Sequence, residues 1–82
     1  MKYPMYCIRD NKVGFMTPVI DTNHDTAIRN FAMAVNGQND TMAFSPADFD
    51  LYQVGTFDSE KGMIEPMTPD LVVSGTSVFG AK

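Results

Sequence analysis

The chain has 82 residues, 44% of them hydrophobic and 20% charged, with six Phe, three Tyr and a formal net charge of −4. This composition excludes a disordered tail and leaves room for one hydrophobic core, so residues 1–82 read as a single domain. With only six Lys and Arg, an evenly basic surface for phosphate binding is excluded too, and the cations must cluster if nucleic acid is to be held.

In chain order, Lys2 to Arg9 reads as a strand, with Pro4 near its start where an edge strand tolerates a missing donor. Asp10-Asn-Lys-Val-Gly14 supplies turn residues and Phe15 to Ile20 resumes extended character, which makes a hairpin whose second arm Pro18 shortens or confines to an edge. Thr22 and Asn23 are candidate caps for a helix with Asp25 in its first turn, and Ile28, Phe31, Ala32 and Val35 form one apolar stripe. Asn36-Gly37 ends that helix, and a polar connector begins at Gln38.

Ser45-Pro-Ala-Asp48 reads as one helical turn with Ser as cap and Pro at the first position. A strand follows from Asp50 to Phe57. Tyr52 and Val54 share one face and Leu51 and Phe57 the other, unless a bulge at Gly55 shifts the register and brings Phe57 to the Tyr52 side. Asp58-Ser-Glu-Lys-Gly62 is a tight turn into a partner strand, Met63 to Met67, and the segment from Pro69 to Phe79 is a last short strand or a tail packed across the sheet. The predicted fold class is α+β: an antiparallel sheet of four to five strands in the order β-β-α-β-β, with one amphipathic helix on one face.

The residues that could carry chemistry are sparse. Asp48 and Asp50 are two apart, as ligands on one strand face would be, but a hard cation needs more oxygens than a pair supplies. The 58–62 turn lacks the spacing of a calcium loop. His24 is the single histidine, with no nucleophile placed beside it by the sequence, and Cys7 is a lone thiol in a strand pattern that suits a reducing compartment. The expectation is no enzyme, no cofactor and no metal.

Neither a membrane-length apolar run nor the apolar core of a signal peptide is present, so the expected location is the cytoplasm. In a domain this small, lacking staples, a homodimer would supplement the core. The seven Met, with Met16, Met63 and Met67 on strand-like segments, suit an adaptable protein-binding surface as well as ordinary core filling.

For nucleic acid the first hairpin is the best candidate. Lys2, Arg9 and Lys12 lie there with Tyr3, Tyr6 and Phe15, and aromatic rings can stack unpaired bases while cations follow the backbone. The structural alternative is that Tyr6, Ile8 and Phe15 are core and the cations a solvated rim.

Lys2-Tyr-Pro-Met-Tyr-Cys-Ile-Arg-Asp10 with Gly14-Phe15, Ala27-Ile-Arg-Asn-Phe31, Pro46-Ala-Asp-Phe-Asp-Leu-Tyr-Gln-Val-Gly-Thr-Phe-Asp58 and Gly62-Met-Ile-Glu65 together resemble the small nonstructural protein of gokushovirus-type microviruses, bacteriophages with single-stranded DNA genomes. The resemblance spans nearly the whole chain. It implies a nonvirion phage protein of the host bacterial cytoplasm, associated with DNA binding and with genome synthesis or packaging. On this reading Lys2, Arg9 and Lys12 would meet phosphates with Arg29 as a helper, and Tyr3, Tyr6 and Phe15 would stack bases. Phage or host replication proteins are further expected partners. The alternative function is a protein-interaction module that modulates a host or phage factor without touching DNA.

Overall fold

The computed structural model describes residues 1–37 and 41–80. Its elements are β1 (Lys2–Asp10), β2 (Gly14–Phe15), β3 (Val19–Ile20), α1 (His24–Val35), α2 (Thr41–Phe44), a 3-10 turn (Pro46–Asp48), β4 (Phe49–Asp58), β5 (Met63–Ser74) and α3 (Gly75–Val78). The connector beginning at Gln38 lies, up to residue 40, outside the described residues. All strands belong to one antiparallel sheet in the order β2-β1-β4-β5, with β3 also paired to β1. The α+β class read from the sequence is the one observed.

Two expectations are refined. The second arm of the first hairpin is split by Met16-Thr-Pro18 into β2 and β3, each pairing with a different part of β1. Pro18 has no N–H to give a ladder, and pairing resumes only after it. The segment after Pro69 is no separate strand: β5 runs through to Ser74, with its pairing to β4 interrupted between Pro66 and Asp70.

Helix α1 begins as its residues dictate. Asn23 accepts a hydrogen bond from the Thr26 N–H at 2.9 Å while the Thr26 hydroxyl faces the Asn23 backbone N–H, a reciprocal capping box. Asp21 extends this cap, accepting from the Thr26 hydroxyl at 2.6 Å, the Thr22 N–H at 2.8 Å and the Asn30 amide at 2.9 Å. Those bonds, the Thr26 hydroxyl foremost, with help from the Arg29 charge, hold its carboxyl below the ordinary range. A folded-state value lowered in this way contributes stability that is complete above the unfolded value of about 3.9 and is lost as pH falls through the folded value. Asp21→Asn is therefore expected to flatten the acid limb of a plot of melting temperature against pH, with little change in its shape above about pH 5.

Ala27, Phe31 and Val35 are the buried residues of α1, with Ile28 and Ala32 partly buried beside them. The predicted stripe is thus present but centred one residue earlier. It packs on Tyr6, Phe49, Leu51 and Val78 to make the core. The short helix α3 closes the core from the other end. Ser74 caps it, Val78 enters the cluster, and Asn36 ties it to α1, its amide donating to the Val78 carbonyl at 3.0 Å and its side-chain oxygen accepting from the Gly80 N–H at 2.6 Å.

The bulge expected at Gly55 is present. Met5 pairs with Gly55 and Tyr6 with Gln53, so Val54 is the extra residue of β4. On one side of this shift Leu51 pairs with Ile8 and faces the core; on the other Phe57 pairs with Tyr3, opposite the helix, on the side of Tyr52. Gly55 is required here by a close approach, since a Cβ would lie 2.5 Å from the Glu65 carbonyl oxygen. Gly55→Ala must push β4 and β5 apart, and thermal melts should show a loss of about 1–3 kcal/mol.

Candidate functional site

The helix covers one face of the sheet and leaves the other open. Side chains of cross-strand partners point to the same side, so the registers place the open face in rows. At one end lie Phe15, Arg9 and Asp50, then Cys7 and Tyr52 with Leu71; beyond these come Ile20, Met5 and Gly55, and at the far end Tyr3, Phe57 and Ile64. Among the described residues in these rows the face is apolar and aromatic apart from Arg9 and Asp50. Met5 and Cys7 are buried at its centre although the helix is on the other side, while Phe15, Ile64 and Leu71 are 48%, 60% and 55% exposed. Burial pushes the Cys7 thiol up, which keeps it protonated and inert.

The end of the face carrying Arg9 is built tightly. The Phe15 and Tyr52 rings meet edge to face with centroids 5.4 Å apart, and the Arg9 guanidinium carbon sits 5.6 Å from the centre of the Phe15 ring. Arg9 Nη1 donates to Asn11 Oδ1 at 2.8 Å, and Asn11 Nδ2 donates to Asp50 Oδ2 at 3.2 Å. Asn11 therefore orients both charged groups, and the guanidinium retains donors facing solvent.

The residues singled out from the sequence separate cleanly. Arg9, Phe15 and Tyr3 share the open face, and Lys12 lies in the exposed turn between β1 and β2, at the Phe15 end. Tyr6 does not join them. It is 0% exposed, in the core beneath α1, with its hydroxyl hydrogen-bonded to His24 Nδ1, so it presents no ring for stacking. Desolvation, with a contribution from Asp21, raises the Tyr6 hydroxyl above its ordinary range. Lys2 alternates to the helix side of β1, where it pairs with Glu65 at 2.7 Å, and this carboxylate raises its pKa. Arg29 is on α1, across the sheet from the aromatic rings. Of the hairpin cluster Lys2, Arg9 and Lys12, with Arg29 as a helper, the structure sets Arg9 and Lys12 at the Phe15 end of this face.

Tyr52 and Phe57 were missed as site residues. Their signal was the Gly55 bulge, which puts Phe57 on the Tyr52 face, but only the register with β1 sets them beside Tyr3 and Phe15.

The acidic residues that drew attention have structural partners. Asp48 ends the 3-10 turn and its backbone oxygen accepts from Asn11 N–H at 2.8 Å, while Asp50 accepts from the Asn11 side chain. Asp58 accepts from the N–H groups of Glu60 and Lys61, and its carbonyl accepts from Gly62, the turn expected there. Among the described residues no three His, Cys, Asp or Glu side chains converge on a metal-sized site. His24 opens α1 and packs edge-on against Tyr6, whereas Cys7 faces the opposite side of the sheet.

A family model described as Phage ORF5 protein matches residues 3–78. The chain belongs to this family. The match runs from Tyr3 in β1 to Val78 at the end of α3, so the open face and the core both fall within it. Neither a curated protein nor a solved structure matches the chain. Among the described residues no helix is long and apolar enough to cross a membrane. The Phage ORF5 assignment agrees with the phage origin implied by the resemblance.

Proposed function

We propose that this phage protein is a nonenzymatic accessory protein of a gokushovirus-type microvirus, binding single-stranded DNA in the host bacterial cytoplasm during genome synthesis or packaging. The observation that carries the reading is the open sheet face, where Tyr3, Phe57, Tyr52 and Phe15 lie on three adjacent strands with Arg9 beside them. A strand of unpaired bases offers π faces to such rings and a phosphate to the guanidinium, and base stacking on an aromatic side chain is worth about 1–3 kcal/mol per base. A duplex keeps its base faces stacked on each other and gains nothing from the rings. Fluorescence anisotropy with labelled single-stranded and duplex DNA at low salt tests this. Preferential single-strand binding, weakened by Tyr52→Ala and by Arg9→Ala, is expected; absence of single-strand binding would overturn the proposal.

A second reading has its own observation. β5 is an edge strand with Met63, Ile64, Met67 and Leu71 exposed along it, a surface suited to a protein partner such as a second copy of the chain or a phage or host replication protein. Pro66 and Pro69 have no N–H to give, and Glu65 and Asp70 add charge along β5, features that blunt an edge strand against pairing with another strand. Light scattering across a concentration series decides whether self-association occurs: a dimer mass favours this reading, and a monomer mass at all concentrations removes the homodimer from it.

A further inference from the structure

Resting on the single-stranded DNA reading, we infer that the open face holds the bases and largely ignores the backbone: affinity comes from two stacking stations, and few phosphates are neutralised. The inventory of side-chain cations among the described residues carries the inference. Lys2 is on the other face and is paired there with Glu65. Arg29 is across the sheet, on α1. Among the described residues, Arg9 and Lys12 lie at the Phe15 end, with Asp50 close to Arg9 through Asn11, and Lys61, in the turn that leads into β5, lies at the Phe57 end with Asp58 and Glu60 to oppose its charge.

The stations are the Phe15–Tyr52 pair and the Tyr3–Phe57 pair. Cys7, the partner of Tyr52, is four residues along β1 from Tyr3, and at about 3.3 Å per residue this sets the stations roughly 13 Å apart. A stacked strand advancing ~3.4 Å per nucleotide covers that span in about four nucleotides. In the interval Ile20 is the exposed side chain, with Met5 and Gly55 buried beside it, an apolar lining on which a base lies more readily than a phosphate.

Counterion release converts the inventory into a measurable slope. A site neutralising two phosphates on a single strand gives log K against log salt a slope of about −1.4, whereas a backbone-tracking groove with four or more contacts gives about −2.8 or steeper. Duplex DNA, whose bases cannot reach the stations, should be bound much more weakly at every salt concentration.

Anisotropy titrations of the full chain with labelled oligothymidylates of increasing length, repeated between about 50 and 200 mM salt, test the inference. The expected results are a slope near −1.4, a gain in affinity that levels off beyond about four to six nucleotides, and no effect of Lys2→Ala or Arg29→Ala. Tyr52→Leu should weaken binding roughly 5- to 150-fold and Tyr52→Phe should restore it, because the ring and not the hydroxyl stacks. Thermal melts of each variant separate loss of the surface from loss of the fold. A slope of −2.8 or steeper, or a loss in Lys2→Ala or Arg29→Ala matching that of Tyr52→Leu, would overturn the base-first mode while leaving single-stranded DNA binding in place. No binding to any single strand would overturn both.

Discussion

Replacing Gly75 with Ala is expected to unfold the protein or to cost about 3 kcal/mol or more, the upper part of the range for inserting volume where nothing can yield. A Cβ at this position would stand 2.6 Å from the Phe49 carbonyl oxygen and closer still to that of Pro46. Both obstacles are backbone, fixed by the 3-10 turn and the start of β4, so no side chain can rotate away. Gly75 also opens α3, and displacing it withdraws Val78 from the core and loosens the bonds that Asn36 makes to Val78 and Gly80. In a domain of this size each kcal/mol shifts the melting temperature by about 4–8 °C, so calorimetry should register a fall of more than about 12 °C. A melting temperature within a few degrees of the parent would show that α3 does not seal the core.

Phe31→Ala is the second large effect. Phe31 is 2% exposed at the centre of the α1 stripe, packed among Tyr6, Leu51, Phe49 and Val78. Truncation removes a ring's transfer energy and leaves a cavity, a combination that costs about 3–5 kcal/mol. Net stability of about 0.05–0.15 kcal/mol per residue gives a chain of this length only about 4–12 kcal/mol in all. Urea unfolding should therefore place Phe31→Ala near the edge of folding, whereas truncating exposed Met33 on the same helix should change stability by no more than about 0.5 kcal/mol. Equal effects at the two positions would mean that the helix is packed differently.

What could be read from the residues alone follows from how local each determinant is. The cap at Asn23, the stripe through Phe31 and Val35, the turn at Asp58 to Gly62 and the register pivot at Gly55 are encoded within a few residues of where they act, and all were legible. The split of the hairpin arm around Pro18 was half legible, since the proline announces a break but not that Val19-Ile20 will pair again with β1 at Met5 and Tyr6.

The site was harder, for two reasons. Tyr3 and Tyr6 were grouped as neighbours, yet they stand an odd number of positions apart on a strand and must face opposite ways. That signal was present in the spacing. Which of the two faces the helix would cover was not, because it depends on packing between β1 and α1. The loss of Lys2 to Glu65, and the placing of Tyr52 and Phe57 beside the first hairpin, depend on pairings across more than forty residues, and no short-range pattern carries them.

The central claim is that bases of single-stranded DNA rest on the face of the sheet opposite α1. Mapping amide and aromatic chemical-shift changes during titration of the isotopically labelled protein with an oligothymidylate tests it most directly. The predicted result is a contiguous set of shifts at Tyr3, Arg9, Phe15, Tyr52 and Phe57, with Arg29 and the rest of the outer surface of α1 unmoved. Shifts confined to α1 or to the β5 edge, or no shifts at saturating DNA, would contradict it.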